Sequence, residues 1–142
     1  MSKPFTYCIP TITERVFKFE RSQRRELEKE FCGTKDLPGI FEWVYKMVCP
    51  LNEHGEMTFT GGNWESQVAF IHAALKHADP KTITRAKVET WCNELIDADK
   101  SIMEPVIVAV SAAWEQGLFG KKLSMRAEEE PGKENGGSEA NN

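Results

Sequence analysis

Val68-Ala69-Phe70-Ile71-His72-Ala73-Ala74-Leu75, followed by Asp79-Pro80-Lys81-Thr82-Ile83-Thr84, is the stretch whose reading decides the fold. With Trp64 just upstream, the residues Val68, Ile71, Ala74 and Leu75 recur at helical spacing and form one apolar face. Gly61-Gly62-Asn63 supplies a turn and an N-cap before them, and Asp79-Pro80 breaks the helix after them. Thr82-Ile83-Thr84 then opens another helix, in which Val88, Trp91 or Cys92, Leu95 and Ile96 face inward. The unit is therefore a helix, a proline turn and a second helix.

Working outward, the same logic finds helices on both sides. Residues 102–118 carry the stripe Val106, Ala109, Val110, Ala113 and Trp114, with Ser101 and Glu104 at capping-box spacing. Pro105 tightens the first turn of that helix, and Gly117 and Gly120 end it. On the N-terminal side, Asp36-Leu37-Pro38 reads as a helix start, a capping carboxylate followed by proline in the first turn. Ile40, Val44, Met47 and Val48 follow as its stripe, and Pro50 stops it. Phe41, Trp43 and Tyr45 widen this apolar surface beyond a single stripe. Residues 20–31 are strong helix formers with Leu27 and Phe31 on one face, an attractive Arg24–Glu28 pair, and Gly33 as a left-handed cap.

Ahead of these helices, Phe5-Thr6-Tyr7-Cys8-Ile9 and Phe17-Lys18-Phe19 alternate with the two-residue period of half-buried strands. Residues 51–60 read as a loop with a short strand at Met57-Thr58-Phe59. The expected fold is mainly α: a compact helical domain of about five helices with a short N-terminal β-hairpin. That single domain spans 1–123. Residues 124–142 hold five acidic and two basic side chains and almost no large apolar residue, so a disordered acidic tail is expected there.

The chain has 142 residues, enough for one domain with a useful core. No run of about 18 apolar residues is present, so no membrane span is expected. The N-terminus lacks the apolar stretch of a secretory signal, so Cys8, Cys32, Cys49 and Cys92 are expected as reduced thiols that pack like small hydrophobes. Net charge is -4, most of it carried by the tail, and the remaining 123 residues are nearly balanced. That balance argues against nucleic-acid binding, which draws on a basic surplus.

The residues of enzymatic chemistry do not assemble. His72 and His77 are five apart, on different faces of a helix, which argues against a shared metal. Neither GxxxxGK[ST], GxGxxG nor GxSxG occurs, and Gly61-Gly62-Asn63 reads as a plain capped turn. The expectation is a protein with no catalysis, no cofactor and no metal, which works by binding. Trp43, Trp64, Trp91 and Trp114 fall one per helix; that pattern suits core corners, and any exposed member would mark a partner surface. The candidate partner-binding residues are Phe41, Trp43, Tyr45 and Trp64.

The order of elements resembles the tail assembly chaperones of long-tailed bacteriophages and gene transfer agents. Three pieces carry the likeness. The first is Val16-Phe17-Lys18-Phe19 leading to Glu26-Leu27-Glu28-Lys29-Glu30-Phe31. The second is Val68–Leu75 with the Asp79-Pro80-Lys81-Thr82-Ile83-Thr84 turn. The third is the helix with Val88 and Leu95-Ile96, then the apolar helix ending near Trp114. Together they cover about residues 5–118, and the longer linker from Leu51 to Gly62 departs from the pattern. The resemblance implies a chaperone that binds the tape measure protein, a very long helix with exposed apolar surface, and keeps it soluble. It further implies recruitment of tail tube protein, action in the host cell cytoplasm, and absence from the mature virion; association between copies is compatible with it. The residues themselves also allow a small helical adaptor, a structural virion protein or a helical nucleic-acid-binding regulator.

Overall fold

The computed structural model describes residues 5–58 and 61–120. The hairpin forms from β1 (Thr6–Cys8) and β2 (Glu14–Val16), antiparallel, with Tyr7 opposite Arg15. Five helices follow: α1 (Arg21–Phe31), α2 (Ile40–Trp43), α3 (Trp64–Leu75), α4 (Arg85–Asp97) and α5 (Met103–Glu115). Directly after α2 the chain makes a π-helical turn, Val44–Val48. The mainly α fold with an N-terminal hairpin is thus present. The expected tail, 124–142, and Phe59 of the expected short strand lie outside the described residues.

Helix α3 is the centre. Its residues Ser66–Ile71 and Ala73–Leu75 are buried, so it is covered on nearly every side. Helices α1, α4 and α5 and the π turn all pack on it. The sequence explains why it tolerates this position: Ala69, Ala73 and Ala74 let neighbouring backbones approach, while Val68, Phe70, Ile71 and Leu75 fill the gaps. Its start is the expected one, with Asn63 Oδ1 accepting from the Ser66 amide at 2.8 Å. Thr84 caps α4 in the same way through the Lys87 amide. Helix α5 ends in a left-handed Gly117, the Leu118 amide reaching back to the Ala113 carbonyl at 2.8 Å while the Leu118 side chain is buried.

Phe17 and Phe19 face the core as their spacing foretells, yet the strand ladder stops at Val16. The Phe17 amide still reaches across to the Phe5 carbonyl (2.8 Å), and after it the extended chain bonds to helix ends instead. The Lys18 amide donates to the Ala74 carbonyl (2.9 Å), and the Phe19 amide to the Gln116 side chain (2.6 Å). These bonds satisfy backbone groups that a ladder would otherwise have to pair.

Four local expectations change. The second helix starts at Ile40 with Gly39 as N-cap, not at Asp36. Thr34 Oγ1 takes the Leu37 amide and Lys46 takes the Asp36 carbonyl, so the segment around Pro38 is a structured approach to the helix. The α-helical stripe from Ile40 to Val48 is interrupted by the π turn, in which the Cys49 amide donates to the Val44 carbonyl at 2.7 Å. The wider turn brings positions five apart into line, so Trp43 and Val48, and Val44 and Cys49, all become buried. The capping box at Ser101 is half made: Ser101 Oγ accepts from the Met103 amide, but Glu104 is hydrogen-bonded to the Tyr7 hydroxyl, tying α5 to β1. On α4, Val88, Cys92 and Leu95 are buried, whereas Ile96 lies 46% exposed and Trp91 sits under the Arg15 guanidinium at 4.2 Å.

Two ionisable groups join α1, α3 and α4. Arg85 makes two hydrogen bonds to the Glu30 carboxylate, at 2.7 and 2.8 Å, and holds that carboxyl below its ordinary range. His72 Nε2 donates to the Ile83 carbonyl at 3.0 Å, and burial keeps the imidazole below its ordinary value.

Two predictions follow from this packing. Gly61 and Gly62 both have positive φ, but only at Gly62 would a Cβ collide with a neighbour, the Gln67 amide nitrogen at 2.6 Å. Gly61→Ala is expected to cost about 1 kcal/mol and Gly62→Ala roughly 3 kcal/mol in urea unfolding, because the latter also displaces a buried hydrogen bond. The second concerns acid. The unfolded chain protonates His72 more readily than the folded chain does, so stability falls as pH drops below about 6.5. The Glu30 contribution is full above the ordinary carboxylate range and is lost as pH falls through its lowered folded value. Urea midpoints should therefore decline from about pH 7 to about pH 5, and His72→Gln should flatten the upper part of that decline.

Candidate functional site

The π turn does more than bury Val48. Its freed carbonyls are taken by the start of α3: the Asn63 amide donates to Met47 O at 2.7 Å, and Gln67 Nε2 to Val48 O at 3.1 Å. Trp43 Nε1 donates to Ser66 Oγ at 3.1 Å, and its ring stacks on Phe31 at 4.7 Å. Gln67 and Ser66 are buried polar residues, and these bonds satisfy them. With one side of the α2–π segment seated in this way, Phe41, Tyr45 and Cys49 face the opposite way, toward α5.

There they meet Trp114 and Phe119. Tyr45 accepts a hydrogen bond from Trp114 Nε1 at 2.7 Å. Phe41 meets Trp114 and Phe119 edge-on, both at 5.9 Å, and Trp114 meets Phe119 at 4.7 Å. Burial pushes the Tyr45 hydroxyl up despite the Trp114 bond, so the ring stays neutral. The fourth wall is the loop after Pro50. Asn52 Oδ1 accepts from the amides of His54 and Glu56, Gly55 turns with φ +77°, and a single bridge pairs Leu51 with Met57. The loop thus holds Leu51 and Met57 as one lip of an open apolar groove of about 380 Å³, with Val110 and Cys49 at its floor.

Three side chains in this region are apolar and substantially uncovered: Phe41 (46%), Leu51 (44%) and Met57 (41%). Their arrangement can bind another apolar surface. Among the described residues no cluster of His, Cys, Asp and Glu is suited to holding a metal ion. No described helix is long and apolar enough to cross a membrane. Cys49 and Cys92 are buried, and burial raises both thiols, Cys92 to about 12, so they pack rather than react.

Of the four residues singled out from sequence, the structure brings Phe41 and Tyr45 together in the groove. Trp43 is fully buried and belongs to the core, so it offers no surface to a partner. Trp64 lies apart, in a smaller cleft of about 310 Å³ with Val68, Arg85 and Glu89, where its Nε1 donates to Glu89 at 2.9 Å. Trp114, Phe119, Leu51 and Met57 were not singled out for the site. Trp114 reads as a core position on its helix. Leu51 and Met57 had a usable signal: large apolar residues inside an otherwise polar loop.

No family model, curated protein or solved structure matches the chain.

Proposed function

We propose that this chain is a tail assembly chaperone of a long-tailed bacteriophage, which binds the tape measure protein and keeps it soluble until tail tube subunits arrive. The observation that carries the reading is the open groove walled by Phe41, Tyr45, Leu51, Met57 and Trp114, apolar and bordered by an aromatic cluster. A long helix with exposed apolar positions at i, i+3 and i+4 presents rows of side chains that fit such a groove. The order of elements along the chain supports the same reading.

The chemistry is transfer of apolar surface from water. Each Leu- or Phe-sized side chain fully buried contributes about 1.5–3 kcal/mol. A few such anchors barely exceed the association cost of roughly 4–15 kcal/mol. Single copies therefore bind modestly. Modest binding suits a coat that shields a long aggregation-prone helix and is then displaced by tube subunits. Met57 adds adaptability, because its unbranched thioether can fit side chains of different shape. The mechanism needs no catalytic group and no cofactor, and its setting is the host cytoplasm during tail assembly.

Co-expression tests this directly. The soluble fraction of the tape measure protein from the same genome should rise several-fold when this chain is present, and should return toward baseline with Phe41→Ser combined with Met57→Ser. Those positions are partly exposed, so the double variant should remain folded by circular dichroism. An unchanged soluble fraction with the wild-type chain would overturn the proposal.

A further inference from the structure

The cleft between the starts of α3 and α4 holds a second kind of binding chemistry. Trp64, Glu65 and Val68 form its α3 wall, and Arg85 and Glu89 its α4 wall, around a volume of about 310 Å³. Asn63 and Thr84 cap the two helices and so set where Trp64 and Arg85 begin them. Val68 is buried and gives the cleft an apolar base. Trp64 Nε1 donates to Glu89 Oε2 at 2.9 Å, which fixes that carboxylate at the edge of the indole. Glu65 and Glu89 are exposed, and among the described residues no cation lies within salt-bridge distance of either.

Arg85 is the cation of the lining, and its charge is already matched. Both of its terminal nitrogens bond to Glu30, at 2.7 and 2.8 Å. Those bonds raise the guanidinium, and the charge of Glu65 adds to the effect, so the field of Glu65 reaches the α4 wall. Arg85 Nε is buried without a hydrogen-bond partner among the described residues, a donor still to be matched. Elsewhere the molecule covers aromatic rings with its own arginines. Arg15 lies 4.2 Å from the centre of the Trp91 ring, and Arg85 lies 5.8 Å from that of Phe31. No such cation lies over Trp64 among the described residues, although indole is the best aromatic face for one and two carboxylates stand beside it.

We propose that this cleft receives a lysine side chain of a partner protein, its ammonium between Glu65 and Glu89 at the Trp64 ring and its alkyl stem along Val68. The carboxylates come from two helices, and one oxygen of Glu89 is already engaged. That suits an ammonium, whose three donors can diverge, better than a guanidinium, whose fork takes both oxygens of one carboxylate. The apolar stem of lysine matches the indole and Val68. The contact is partly open to solvent, so salt weakens it. It shares no residue with the aromatic groove and does not rest on the tape measure reading.

The test uses the full-length chain labelled with ¹⁵N and reads the Trp64 Nε1–H signal at constant ionic strength. The probes are Nα-acetyl-lysine methylamide, its Nε-acetylated form, and Nα-acetyl-arginine methylamide. The lysine probe should move the Trp64 signal saturably, with a dissociation constant on the order of millimolar, and leave the buried Trp43 signal in place. Glu65→Gln combined with Glu89→Gln should weaken that binding roughly fivefold or more. The replacement amide can still accept from Trp64, and both positions are exposed, so the ring and the fold should be kept. A Trp64 signal that stays still, or that the acetylated probe moves equally, would overturn the proposal. So would binding that the two substitutions leave unchanged. Tighter binding of the arginine probe would overturn the choice of lysine.

Discussion

The seating of the π turn on the start of α3 is the constraint on which the rest of the molecule depends. A helix that ends in a π turn leaves its last carbonyls without partners in its own ladder. Here Asn63 and Gln67 accept that burden, and Trp43 is locked beside them by Ser66. Trp43, Val48, Ser66 and Gln67 are buried, where an unmade hydrogen bond costs about 1–3 kcal/mol. Gly62 allows the close approach, since any larger residue would meet Gln67. The polar first turn of an otherwise apolar central helix therefore has a structural purpose.

From that seat the aromatic surface follows. Trp43 points into the core between Phe31 and Phe70, and its near neighbours Phe41 and Tyr45 point away toward α5. The Tyr45–Trp114 hydrogen bond then fixes the two sides of the groove against each other. Rigid aromatic walls lose little side-chain freedom on binding, so contact with a partner is not offset by ordering. The lip formed by Leu51 and Met57 belongs to a loop held by one bridge and an Asn52 turn, and is the part most able to adjust.

Much of this fold is legible in the sequence because the deciding signals are local. Asn63 and Thr84 cap the helices they precede, Asp79-Pro80 separates α3 from α4, and Gly117 ends α5. The hidden parts depend on partners far along the chain. Glu104 leaves its capping box because Tyr7, 97 residues away, reaches it. Lys18 and Phe19 run extended outside the hairpin ladder because Ala74 and Gln116 take their amides. The π turn is invisible to a reading that assumes 3.6 residues per turn, and it is what carries Val48 and Cys49 into the core beside Trp43 and Val44. Half of the candidate site was legible: the aromatic surplus around Phe41 is plain in the sequence, whereas the partners that fix each ring, Ser66, Trp114 and Phe119, lie far along the chain.

Phe41 and Ile96 offer a matched comparison, since both are 46% exposed and only Phe41 borders the groove. A photo-reactive phenylalanine analogue placed at either position, in cells that also make the tape measure protein, reads contact directly. Cross-links to the tape measure protein are expected from position 41 and only at background from position 96. Equal labelling from both positions, or labelling from 96 alone, would contradict a chaperone that grips its partner through the aromatic groove.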